Sequence, residues 1–111
     1  MRMSAITSFC VAVVASSAGL AQTMVPASSI TMVRTGWNTD SFGIVTPEAI
    51  ANPAACATPD GYVSEAAAPG YRTYYAAALM AYALRQPVVI TVHNSECAGS
   101  RPKIIGINLQ Q

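Results

Sequence analysis

Residues 71–92 read YRTYYAAALMAYALRQPVVITV, and the change of character inside that stretch decides the fold class. Tyr71, Tyr75, Leu79 (with Ala78) and Tyr82 recur at helical spacing and form one aromatic stripe, the pattern of a helix packed on a core. The rest of the run is mostly alanine, leucine and methionine, which lose little side-chain freedom in a helix. Pro87 has no N–H to donate and clashes with the preceding turn, so the helix is expected over Tyr71–Leu84. Val88 to Val92 is then nearly all β-branched and apolar, a strand expected to be buried on both faces.

Towards the C-terminus, Lys103 to Leu109 alternates and would place Ile105, Ile107 and Leu109 on one face. Gly106 inside that run signals a bulge or a close backbone approach. His93 to Pro102 reads as the connection and carries Cys97. Towards the N-terminus, Ala66-Ala67-Ala68-Pro69-Gly70 marks a turn, and Gly61 to Ser64 is a weak strand. Pro47 to Asp60 holds three prolines and excludes long regular structure. Ser28–Thr35 and Ser41–Thr46 read as two strands of an antiparallel hairpin, with Phe42 and Ile44 facing one way and Gly43 and Val45 the other.

The order strand, strand, strand, helix, strand, strand makes the chain mainly β with one helix, an α+β protein. The expected architecture is a five-stranded OB-like partly open barrel with its helix between strands 3 and 4. A small sandwich with the helix laid over an antiparallel sheet is the alternative.

Residues 1–21 have the three parts of a cleavable signal peptide: a basic start at Arg2, an apolar run from Ala5 to Val14, and small residues closing on Gly19-Leu20-Ala21. Cleavage after Ala21 removes Cys10, which lies in mid-core behind bulky Phe9 and so does not fit a lipidation signal. The expected destination is secreted or periplasmic. Six basic and five acidic residues become five of each once Arg2 is gone, so the mature chain is neutral with His93 uncharged. That balance argues against nucleic acid as a partner. A 14-residue helix is too short to span a bilayer and has no basic face, so no stable membrane anchor is expected after signal cleavage.

Residues 22–27 are short and polar and are expected to be a loose N-terminus, with 28–111 a single small domain. A domain this size, rich in alanine, gains from a covalent staple. Cys56 and Cys97 remain as an even pair in an exported chain, the mark of a disulfide closing about 40 residues. The competing use of Cys56, Cys97 and His93 as zinc ligands lacks a fourth ligand and a Cys-x-x-Cys pair. No metal or cofactor is expected.

The run from Tyr74 to Leu79, then Arg85 to Ile90, Cys97, and Ile104 to Ile107 resembles a group of small exported bacterial proteins. In these a helix is followed by a Gly/Gln-x-Val strand, a cysteine and a final isoleucine-rich strand. That group is similar to the B subunits of subtilase-type and pertussis-like toxins. The resemblance implies the OB-fold and raises ring assembly and sugar binding as expectations. It transfers no sugar-contacting residue to a position of this chain.

The segment most like a site is Gly36 to Ser41, where Trp37, the sole tryptophan, stands beside Asn38, Asp40 and Ser41. It follows the first strand, where OB-folds commonly bind ligands. A flat aromatic ring among small polar groups suits a sugar, or a protein partner's hot spot. The bland reading has Trp37 capping the barrel and Asn38 and Asp40 serving the turn. His93-Asn94-Ser95-Glu96 gathers a base, a hydroxyl and a carboxylate, but neighbours on an extended chain point to opposite sides and make no triad. The leading expectation is therefore an exported binding module for a glycan or protein surface, with no catalytic motif. A structural or inhibitory envelope protein, including a homo-oligomer, is the first alternative. A small hydrolase or redox enzyme using His93 and a cysteine is the second.

Overall fold

The computed structural model describes residues 22–36 and 39–111. The expected signal peptide, 1–21, and the site residues Trp37 and Asn38 lie outside the described residues. The elements run β1 (Gln22–Met24), β2 (Ser28–Ser29), β3 (Met32–Thr35), β4 (Ser41–Val45), β5 (Tyr62–Glu65), α1 (Tyr71–Leu84), β6 (Pro87–Ala98) and β7 (Arg101–Leu109). The chain is mainly β with one helix.

The strands form one sheet path, β1-β6-β7-β5-β4-β3, with β2 also paired to β6. β3, β4 and β5 are an antiparallel meander, Val33 opposite Ile44 and Ile44 opposite Tyr62. The meander joins the second half through a parallel contact between β5 and β7 at Val63 and Lys103. There are thus seven described strands, not five, and the helix lies between the fifth and sixth.

The extra strands have local causes. The run 28–35 breaks because Ile30 turns into the core, 7 % exposed, and leaves the ladder. Thr31 then donates its N–H to Val45 O at 2.8 Å, and pairing resumes with β4. The N-terminal segment, expected to be loose, is ordered as far as Val25. Gln22 to Met24 pairs with His93 to Thr91, and Val25 N–H donates to Ile90 O at 2.8 Å. The edge of a 12-residue β6 supplies partners that a reading of 22–27 alone does not reveal.

The connection expected over 93–102 is mostly strand. β6 runs to Ala98 and turns through Gly99, whose φ of +60° suits a residue without Cβ. Two irregularities interrupt the β6–β7 ladder. Thr91 faces Gly106 while Val92 faces Ile104, so Ile105 is an extra residue on β7. That single insertion changes the parity of the strand. Ile104 is fully buried, and beyond the bulge Ile107 and Leu109 pack against the same core, while Ile105 is set apart from them.

Phe42, Ile44, Tyr62, Ile90, Val92 and Ile104 form the centre of the core. α1 has the expected bounds but a rotated buried face. Tyr71, Ala78 and Ala81 are buried, whereas Leu79 and Tyr82 are 43 % and 48 % exposed. Ala78 and Ala81, both wholly buried, bring the helix backbone close to the sheet and turn the larger side chains outward. Tyr74 fixes the rotation by donating from its hydroxyl to Ile105 O at 2.8 Å. The helix ends with Arg85 at φ 54°, and Gln86 N–H returns to Ala81 O at 2.9 Å, a left-handed cap ahead of Pro87.

Cys56 and Cys97 form the disulfide, with Cα atoms 5.9 Å apart. It ties the proline-rich 47–60 loop to the end of β6. Asn52 supports the joint, accepting from Cys56 N–H and donating to Cys56 O.

Candidate functional site

A shallow cleft of about 110 Å³ opens beside the loop that follows β3. Thr35, Gly36 and Ser41 form its loop side, Gly43 and Val63 lie on its strand side, and Arg34 and Arg101 bring guanidinium groups to it. Gly36 N–H donates to Ser41 O at 2.8 Å and closes the loop at its base. A side chain at Gly36 would run into Thr39 O and Ser41 Oγ, so the backbone approach there requires glycine.

The four expected site residues divide. Ser41 is half-buried at the start of β4 and lines the cleft. Asp40 is committed to the scaffold: its Oδ1 accepts from Tyr71 OH at 2.6 Å, and its carbonyl accepts from Ala66 N–H at 3.0 Å. The hydrogen bond to the Asp40 carboxylate, with burial second, pushes the Tyr71 phenol up to about 12. Trp37 and Asn38, between Gly36 and Thr39, fall outside the described residues.

Sequence reasoning missed the charged members. Asp60 receives Arg101 Nε at 2.6 Å on Oδ1 and Arg101 Nη2 at 3.3 Å on Oδ2. Arg34 Nη2 adds contacts to Asp60 Oδ1 at 3.3 Å and to Asp60 O at 3.2 Å. These hydrogen bonds, Arg101 first and Arg34 second, hold the Asp60 carboxyl down at about 2. One carboxylate serves two guanidiniums, so the group keeps a net positive charge and unused N–H donors. The signal lay in the disulfide: Asp60 follows Cys56 by four residues and Arg101 follows Cys97 by four. The bridge sets the two segments in register, and Thr58 N–H donates to Ser100 O at 2.8 Å between them.

The 93–96 cluster departs from its expected geometry. The second irregularity of the β6–β7 ladder lies there, between Val92 and Cys97, and its bulge gathers residues that an extended strand would separate. His93 Nδ1 accepts from Ser95 N–H at 3.1 Å and Glu96 N–H at 3.0 Å. Ser95 Oγ stands 3.4 Å from the same nitrogen, and His93 Nε2 is 3.3 Å from Glu96 Oε2. Serine, imidazole and carboxylate therefore meet, but the one lone pair on Nδ1 already serves the backbone. Glu96 is also held by Lys103 Nζ at 3.2 Å, which with the charge of His93 lowers its carboxyl below the ordinary range. The cluster is built to hold a bulge shut.

Comparison with known proteins returns no match, whether to a family model, a curated protein or a solved structure. Among the described residues no group of three or more His, Cys, Asp or Glu is placed to hold a metal ion. None of the described helices is long and apolar enough to cross a membrane.

Proposed function

We propose that the chain is an exported binding module with an OB-like barrel, and that the cleft beside the 36–41 loop recognises a glycan or a protein surface. The observation that carries the reading is the convergence at this cleft of the loop after β3, the β4–β5 surface, and Arg101 just beyond the β6–β7 turn. An OB-fold binds ligands on the face of its second and third strands, between the loops after strands 1 and 4.

The strand order supports the barrel. β2 and β3 are two parts of the run 28–35, the first paired with β6 and the second with β4. Taken as one bent strand, with β1 as an addition to the edge, the run joins both ends of the path. The count becomes five, and the helix falls between the third and fourth. The parallel β5–β7 contact is the one a Greek-key barrel of this order needs.

A glycan suits the lining: hydroxyls from Thr35 and Ser41, guanidinium donors at the rim, and the apolar Gly43 and Val63. Trp37 would add a stacking face. Likeness to toxin B subunits, and ring assembly with it, belongs to the same proposal. The residue 1–21 pattern and the Cys56–Cys97 disulfide support export.

The test is a glycan panel read with the exported protein and with Trp37→Ala and Arg101→Gln variants. A glycan bound by the native protein and at least ten-fold more weakly by each variant supports the site. A bound glycan indifferent to both substitutions would place recognition outside the cleft.

A further inference from the structure

The outer face of α1 carries Leu79, Met80 and Leu84 at 43 %, 56 % and 62 % exposure, with Tyr82 on its flank. No aspartate or glutamate occurs from Ala66 to Ser95, and the only full charges in that span are Arg72 and Arg85. Of the five lysines and arginines from residue 22 onward, Arg34 and Arg101 pair with Asp60 and Lys103 pairs with Glu96. The two cations with no ion pair among the described residues, Arg72 and Arg85, bracket the apolar helix. At 1.5 Å per residue they stand roughly 20 Å apart along its axis. Arg85 also borders a hollow of about 460 Å³ walled by Ile30, Tyr82 and Ala83.

We propose that this face rests on an anionic lipid bilayer, with α1 parallel to the surface, its apolar side chains in the headgroup region and a guanidinium at each end. Charge complementarity selects the occupant. A second copy packed antiparallel would set Arg72 against Arg85, and a parallel pair would set like against like, with no carboxylate on the helix to offset either. A bilayer accepts a convex ridge without needing a matching groove. Its anionic headgroups answer two cations that have no ion pair among the described residues. The helix has no basic face; its two arginines lie at the ends of the apolar ridge, where each aliphatic stem can carry a guanidinium to the headgroups. The attachment is peripheral and spans nothing.

The exported protein is sedimented with vesicles of equal parts phosphatidylglycerol and phosphatidylcholine, and with phosphatidylcholine alone, across a range of salt. Binding is expected on the anionic vesicles only, weakening with salt. It should fall about five-fold for each of Arg72→Gln and Arg85→Gln, and more than ten-fold for Met80→Glu. Trp37→Ala should bind as the native protein does, which separates this surface from the cleft. Absence of binding to anionic vesicles, equal binding to neutral ones, or indifference to salt would each overturn the proposal without use of any variant. A concentration-dependent dimer abolished by Met80→Glu would assign the face to a second copy and overturn it too.

Discussion

Asp60 stands between Arg34 and Arg101 because three strands and a disulfide converge on it, and its titration reports that convergence. Its folded value of about 2 lies below the ordinary 3.8, so its stabilising effect is complete above pH 4 and is lost as pH falls from there towards 2. Asp60→Asn should remove this segment of the acid unfolding curve while leaving the melting temperature near pH 7 reduced. Tyr71 has the opposite sign. A phenol raised to about 12 contributes below pH 10 and loses its effect as pH rises through that interval. An ultraviolet titration should therefore show Tyr71 ionising late, with Tyr62, which burial also raises. Tyr71→Phe should delete one late step. Ser64 is wholly buried and its hydroxyl has no hydrogen-bond partner among the described residues, so Ser64→Ala should leave stability unchanged or raise it by up to about 1 kcal/mol in urea unfolding.

At the scale of elements, the extent of α1, about Tyr71 to Leu84, was legible, because Pro87 and the alanine-rich run fix its limits locally. Its rotation was not. Tyrosine spacing points to Tyr82 as a core residue, yet the wholly buried pair Ala78 and Ala81 sets the contact face, and a small residue's value in close packing does not register as hydrophobicity. β7 shows the same division. Gly106 announced an irregularity, but which isoleucine it displaced depended on the partner strand. β1 pairs with β6 across about 70 residues of chain, which no local window holds. The disulfide was legible from cysteine count and the expected compartment, and it restrains a loop with no strand of its own. Replacing both Cys56 and Cys97 by serine should lower unfolding free energy by about 4 kcal/mol, less any strain relieved, measured as a shift in the denaturation midpoint.

For the molecule as a whole, the class and the strand–helix–strand order followed from periodicity. The sheet's continuity did not, since it rests on the parallel contact between β5 and β7 at Val63 and Lys103, segments 40 residues apart. The cleft was half legible. Its loop was marked by Gly36 and the small polar residues after it, while its charges came from Asp60 and Arg101, aligned only once the cysteines are joined. Recognition at that cleft is the proposal on which the functional reading rests. Amide chemical-shift mapping of the protein, titrated with a glycan bound in the panel, is the most direct test. The predicted perturbations cluster at residues 34–43, 60–63 and 99–101 and vanish in Arg101→Gln. Perturbations confined elsewhere on the surface, with these three segments unmoved at saturation, would contradict it.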